Sequence, residues 1–513
     1  MTFNLKLDIL NKLSLFFFYV FVALLPFNLR LIAYKGITDF VSLFLYLGDF
    51  LLILALLLWG VKKFQGKTLF EQVDLKYRPL VVLLFLLFFW QILSMAGNGF
   101  TFYSLQSIYQ FLLGIILFCY ILANLSQKKV IRRVLVLILI LALFEGILGI
   151  YQFADQSSLG IPQLGESIIS PNLKGVAKIT LESGEKIIRA YGTFPHPNVF
   201  AGFLLISFYI LIIWWCFEAD FWKKEAKNRT FPQVLLAVFW LILAISLLFT
   251  FSRTVLIVIF LIFLTILIKC VITCGKLKDF FSSFPQVCLI KCQITKHCMV
   301  FKIIFASVLI ISVLGASELL FARFLPSKIS KEDLFVKDRI LYTQIALKMI
   351  EESPFLGVGS GNFALMLPRF SKEKLEPWQF QPSHNNYLLI AAENGLPALF
   401  LFLLFIFIYL RILLCPAPES CRNAGRVVPG FLKKHQSFIP HLIFDFSFKK
   451  IMGDRGTYQR LGAGFFLSVF AVGIFVIMLF DHYFWTIHSA HLLFWLILAL
   501  FLKLKEILKK ESF

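Results

Sequence analysis

The chain has 513 residues, of which 59% are hydrophobic and 17% aromatic, with a mean hydropathy of +0.84 and a formal net charge of +21. This composition excludes an ordinary soluble domain, and apolar runs long enough to cross a hydrocarbon core of about 30 Å recur along the whole length. The positive charge fits Lys and Arg gathered in the inner loops of a membrane protein better than a nucleic-acid partner.

In chain order the apolar runs predict an all-α polytopic membrane protein with about twelve transmembrane helices. They fall at residues 13–33, 38–60, 79–97, 102–123, 131–153, 197–217, 233–250, 253–272, 300–320, 387–411, 461–481 and 486–503. The first stretch, Leu13 to Ala33, is long and lacks a small-residue cleavage site, so no cleavable signal peptide is expected. With the N-terminus inside, the inner loops collect Lys62, Lys63 and Lys67, then Lys128, Lys129, Arg132 and Arg133, then Lys223, Lys224, Lys227 and Arg229. The loops at 269–302 and 411–460 and the tail from Lys503 to Lys510 add more. Roughly two thirds of the Lys and Arg fall on that side, so both termini are expected to be cytoplasmic.

Five segments follow. Residues 1–153 carry helices one to five, and 154–196 form an outer loop with a small hairpin. Residues 197–320 carry helices six to nine, and 321–386 form a large, largely helical extracytoplasmic loop. Residues 387–513 carry helices ten to twelve, with a basic cytoplasmic loop at 412–460. In the first loop, β-prone pieces flank Glu182-Ser183-Gly184-Glu185. In the second, Ser330 to Asp333 reads as a capping box, Leu341, Ile345 and Met349 recur at helical spacing, and Pro354 closes the segment.

Four polar clusters interrupt the apolar pattern. They are RAYGTFPHPN at 189–198, TFSRT at 250–254, the loop with Arg339, Gly357, Gly359, Gly361 and His384-Asn385-Asn386, and FDHYFWT at 480–486. The charge-derived topology puts all four outside, each at or just before the N-terminus of an inward-running helix. Such ends carry free N–H groups and partial positive charge. With Arg189, Arg253 and Arg339 they would make an electropositive pocket suited to a phosphate or diphosphate. His384 is the candidate proton shuttle.

Each residue also has an ordinary reading. Arg189 could be a solvated loop charge, Arg253 could snorkel to lipid phosphate, and Arg339 could face water on an amphipathic helix. His196, between two prolines, could cap the sixth helix; Asn198 could be a packing amide; Asp481 and His482 could partner each other. The glycines of GVGSG lack the Lys-Ser/Thr of a P-loop and either form a tight turn or offer N–H groups to an anion. Cys270, Cys274, Cys288, Cys292 and Cys298 cluster with His297 in an inner loop, but CxxC knuckles are lacking, so reduced thiols rather than zinc are expected.

At these residues the sequence resembles the O-antigen ligase/polymerase family of bacterial envelope glycosyltransferases. The resemblance spans about residues 185–412, through R-x-x-G-T-F-x-H-P-N at 189–198, S-R at 252–253, R-x-x-x-x-x-x-A-L-x-M-I at 339–350, P-x-L-G-V-G-x-G-x-F at 354–363 and H-N-N-Y-L…E-N-G-L at 384–396. DHYFWT also resembles the end of many members. The resemblance implies a GT-C-like membrane glycosyltransferase of the bacterial cytoplasmic (inner) membrane, with its active site facing the periplasm. It would work without cofactor, metal or nucleotide and with inversion at the anomeric carbon. The donor would be a glycan on polyprenyl (undecaprenyl) diphosphate. The acceptor would be a sugar hydroxyl: lipid A-core in a ligase of lipopolysaccharide, or another lipid-linked chain in a polymerase. Some relatives glycosylate proteins. Position by position, it implies His384 as general base, Arg189, Arg253 and Arg339 at the diphosphate, and Asp481 in support; His196, Asn198 and Asn385 lie in the same motifs. A lipid-linked glycan flippase or transporter is the alternative from another class. The gathering of functional residues at one face, and halves that do not look alike, favour the enzyme.

Overall fold

The structure is a computed structural model that describes residues 2–63, 72–181, 183–225, 230–274, 332–372, 374–414 and 455–510. It is helical almost throughout. In chain order the helices are α1 (Thr2–Leu24), α2 (Leu47–Lys63), α3 (Arg78–Asn98), α4 (Phe102–Asn124), α5 (Lys128–Asp155), α6 (Pro197–Glu225), α7 (Thr230–Phe249) and α8 (Arg253–Cys274). After them come α9 (Glu332–Glu352), α10 (Phe363–Phe370), α11 (Asn386–Leu414), α12 (Arg455–Ile477), α13 (Tyr483–Thr486) and α14 (His488–Lys510). Among the described residues, five stretches are long and apolar enough to cross a membrane: Leu75–Asn98, Phe102–Asn124, Lys128–Asp155, Pro197–Trp214 and Asn386–Leu414. Shorter apolar helices run over Ile9–Leu24, Leu47–Val61, Ala237–Phe249, Arg253–Thr265 and Gly464–Ile477.

The apolar faces sort as a lipid-bathed bundle requires. On α3, Leu80, Val81, Leu84 and Leu87 are buried while Val82, Leu86, Phe89 and Leu93 are exposed at helical spacing. A soluble helix would carry polar residues on that outer stripe. The helix at the centre is α14, buried from Ala490 to Leu504. Its Trp495 packs on Phe111, Phe118 and Phe405. It reaches α4 at Gly114, where a Cβ would lie 2.3 Å from the indole ring, so no larger residue fits there.

The first two expected spans need correction. Helix α1 stops at Leu24 rather than running to residue 33, and residues 38–46 form a short 3-10 turn (Asp39–Val41) and a strand rather than the start of an α-helix. Pro26, two residues on, has no N–H to continue the ladder. The chain then forms strand β1 (Arg30–Tyr34), paired antiparallel with β2 (Leu43–Tyr46), before α2 begins. The β-prone, aromatic-rich RLIAY and LFLY segments explain the choice. The last expected span, 486–503, is displaced too: Tyr483–Thr486 is a separate single turn, and α14 starts at His488 and runs on to Lys510. The 300–320 span, Ser330, Cys288, Cys292, His297 and Cys298 lie outside the described residues, as does most of the 412–460 loop.

Two further elements frame the site. Strands β3 (Lys178–Thr180) and β4 (Lys186–Ile188) pair antiparallel, which brings the chain back to Arg189. Helix α9 buries Tyr342, Ile345, Ala346 and Met349 on one face and leaves Arg339 exposed on the other. At the far end of the bundle, Glu506 accepts the Tyr77 hydroxyl at 2.9 Å and pairs with Lys76 and Lys503. The N-termini of α6, α8 and α11 gather at the opposite end of α14.

Candidate functional site

The RAYGTFPHPN and TFSRT segments are joined by Arg189. This side chain is buried, donates from Nε to the Thr250 carbonyl at 2.5 Å, and donates from Nη2 to Asn198 Oδ1 at 2.7 Å. The neighbouring Ala190 N–H donates to Phe249 O at 2.9 Å. Arg253 thus starts α8 three residues from the carbonyl that Arg189 grips, and it is half-buried. Phe251 reaches this turn with φ of 45°, a left-handed conformation rare for an aromatic residue, held by full burial of the ring.

Asn198 continues the chain of contacts. Its Nδ2 donates to Asp481 Oδ2 at 2.8 Å, which ties the start of α6 to the turn before α13. His196 Nδ1 accepts the Asn198 N–H at 3.1 Å and so caps the entry to α6. Desolvation, and then the Arg189 charge, push this partly buried imidazole down to about 3, which keeps it neutral. From the other side, Glu145 on α5 accepts the Thr193 N–H at 2.8 Å and its hydroxyl at 2.7 Å, bracing the GTF turn.

His384 stands beside this assembly. Its Nδ1 lies 3.8 Å from Asp481 Oδ1, and its ring centroid is 5.0 Å from that of His482. Its side chain keeps 22% of its surface, enough to be reached, whereas that of Asp481 keeps 7%. Asn385 Oδ1 accepts the N–H groups of Tyr387 and Leu388 at 2.9 and 3.1 Å, a helix cap that fixes where α11 begins. The Asn386 N–H donates to Met478 O at 2.8 Å and holds the histidine loop against α12. Burial would raise the Asp481 carboxyl, but His384, His482 and Arg339 outweigh it and hold the group well below the ordinary carboxylate range. Burial, followed by the charges of His384 and Arg339, pushes His482 down to about 3 against the pull of Asp481.

The four polar clusters therefore meet, and Arg189, His196, Asn198, Arg339, His384, Asn385 and Asp481 all belong to one neighbourhood. The GVGSG loop does different work. Val358 N–H donates to Ala392 O, Gly359 N–H to Glu393 O, and Phe363 N–H to the Glu393 carboxylate. These donors brace the break in α11 at Gly395, where φ is 81°, so the glycines act as a tight turn. Sequence reasoning missed Phe40, whose ring meets His482 edge-on at 5.3 Å, and Tyr342, 6.2 Å from His384. Nothing in the local pattern marks either. Glu145 did carry a signal, as a carboxylate inside an apolar run.

The site thus combines an accessible histidine, a buried carboxylate beside it, arginines and three helix N-termini. Such a set can take a proton from a hydroxyl and receive a multiply charged anion. Residues 237–403 match the family model of O-antigen ligase, and this stretch holds Arg253, Arg339 and His384. Arg189 and Asn198 precede it and Asp481 follows it. No curated protein matches the chain. The match covers about a third of the chain and supports its resemblance to the O-antigen ligase/polymerase family.

Proposed function

We propose that the protein is an O-antigen ligase-like glycosyltransferase of the bacterial inner membrane. It moves a glycan from undecaprenyl diphosphate to a sugar hydroxyl at the periplasmic face, lipid A-core being the acceptor in a ligase. The observation that carries this reading is the placement of His384 next to buried Asp481, at the meeting point of the arginine-bearing helix starts.

His384 removes the proton of the acceptor hydroxyl through its outward nitrogen, and the oxygen attacks the anomeric carbon on the face opposite the diphosphate. The bond from that carbon to the diphosphate oxygen breaks, so configuration inverts and undecaprenyl diphosphate leaves. Asp481 faces His384 Nδ1 at 3.8 Å and stabilises the imidazolium as it forms. Arg253 and exposed Arg339 meet the departing diphosphate, and the N–H groups opening α6, α8 and α11 add to that field. Arg189 contributes its charge while holding Asn198 and the α8 start in place. Fixing two lipid-anchored reactants in one geometry supplies the entropic part. The step needs neither nucleotide nor metal.

The test is transfer by purified protein in detergent, from an undecaprenyl-diphosphate glycan to a sugar-bearing acceptor, with EDTA and without nucleotide. Product from wild type and none from His384→Ala supports the reading, and the acceptor that is extended separates ligase from polymerase and from protein glycosylation. Equal product from both proteins removes His384 as base. Translocation of lipid-linked glycan in liposomes without transfer would replace the enzyme with a flippase.

A further inference from the structure

The base and its carboxylate have a third neighbour that the transfer reaction does not require. One nitrogen each of His384 and His482 and one oxygen of Asp481 lie within 4.8 Å of one another. In a tetrahedral zinc site, bonds of about 2.0–2.1 Å put ligand atoms roughly 3.3 Å apart. The cluster is therefore up to about 1.5 Å too open, and His384 is the most exposed of the three side chains.

The ligand groups are also oriented. His384 Nδ1 is buried without a hydrogen-bond partner. The Thr486 hydroxyl lies 2.6 Å from His482 Nδ1 and 3.2 Å from the His482 carbonyl, which fixes the ring orientation. When the hydroxyl donates to the carbonyl it accepts from Nδ1–H, the tautomer in which the Nε2 lone pair is open to a cation. Asp481 is held by Asn198 Nδ2 at one oxygen and by the His482 N–H at the other. A ring N–H given to a neighbouring oxygen and a hydrogen-bonded carboxylate are the usual supports of metal ligands.

We propose that His384, Asp481 and His482 bind a zinc-class divalent cation, and that binding switches the transferase off. Two imidazoles and one carboxylate, with no thiolate, suit Zn²⁺, Co²⁺ or Ni²⁺ and give Mg²⁺ too few oxygens. The metal takes the lone pair or the carboxylate contact that His384 uses in proton transfer. Metal and acceptor hydroxyl therefore compete for the same base. The switching half rests on the transferase reading; the binding half does not.

Both halves can be read separately. Co²⁺ added to the detergent-solubilised full chain is expected to give visible ligand-field absorption, and Zn²⁺ to displace it. The difference spectra against His384→Ala, Asp481→Asn and His482→Gln isolate this site from cysteines elsewhere. Thr486→Val, which touches no substrate, is expected to weaken cobalt binding about 10- to 100-fold while the protein stays folded. In the transfer assay Zn²⁺ is expected to inhibit and EDTA to restore the rate. His482→Gln, compared with its own metal-free rate, is expected to need more than about tenfold more Zn²⁺ for half-inhibition. Identical cobalt spectra in wild type and the three ligand variants would overturn the site. Equal zinc sensitivity in wild type and His482→Gln, or acceleration by zinc, would overturn the switch. Cobalt binding as expected in a protein that transfers no glycan to any acceptor would leave the metal site standing and remove the transferase reading instead.

Discussion

Asn198 and Asp481, 283 positions apart in sequence, are joined by a 2.8 Å hydrogen bond from Nδ2 to Oδ2. The same amide accepts from Arg189 through its oxygen, so one neutral side chain couples a buried cation to a buried anion. Asn198→Ala is expected to leave both partly unsatisfied. Hydrogen bonds to charged groups contribute about 1.5–3 kcal/mol each, so thermal unfolding in detergent should show a loss on the order of 3 kcal/mol. Combined with Asp481→Asn, the losses should fall short of additive by more than about 0.5 kcal/mol. Full additivity would mean that the bridge is not a coupled unit.

His384→Ala is expected to lower glycan transfer about 100- to 10,000-fold, the usual contribution of a positioned general base. Size-exclusion behaviour and detergent-extracted yield should match wild type, because the side chain is partly exposed and its Nδ1 makes no hydrogen bond to lose.

Arg253→Ala is expected to raise the KM for the lipid-linked donor more than that for the acceptor. Arg253→Lys should recover only part of the loss, since an ammonium cannot reproduce the guanidinium fork on a diphosphate. Varying the two substrates independently in the transfer assay checks this. Equal effects on both constants would point to a general loss of structure at the start of α8.

Gly395→Ala is expected to prevent stable folding. The residue sits at φ of 81°, and an added Cβ would lie 1.9 Å from the Phe355 carbonyl oxygen. The left-handed backbone alone costs about 1–3 kcal/mol for a residue with a side chain, and the clash adds a backbone shift in the loop that braces α11. Expression as aggregate, or a strongly lowered unfolding temperature, is the expected readout.

Acid should destabilise the protein through His196 and His482. Both fall from 6.5 to about 3 on folding, so between those values the unfolded chain binds more protons than the native one. Stability is therefore retained above pH 6.5 and lost as pH falls toward 3, with each group steepening the loss by on the order of 1 kcal/mol per pH unit. Unfolding temperature measured down that range should decline, and His482→Gln should flatten the decline. An unchanged slope in the variant would show that His482 is not held neutral.

Much of this protein is legible along the chain. The apolar runs give the helical class, because a hydrocarbon core accepts only backbone that satisfies its own hydrogen bonds. The charge distribution gives one side on which four polar clusters gather, and those clusters do meet around Asp481 and Asn198. The pattern KITLESGEKII reads as a hairpin, and Lys178–Thr180 pairs with Lys186–Ile188. Local pattern misjudged residues 24–46, where hydrophobicity alone cannot distinguish a continuing helix from a hairpin once Pro26 has ended the ladder.

What the sequence by itself determined is therefore the helical membrane class and the kinds of side chain available to the site. Only the tertiary structure decided their division of labour. Arg189 is spent on Thr250 and Asn198, while Arg339 is exposed. The glycines of GVGSG brace the α11 break, His482 and Tyr342 flank His384, and Phe40 packs on His482. The physical reason is that a hydrogen bond or ring contact depends on separation in space, and residues 40, 198, 384 and 481 share no local periodicity that would reveal it. Their meeting is fixed by how the helices pack around α14.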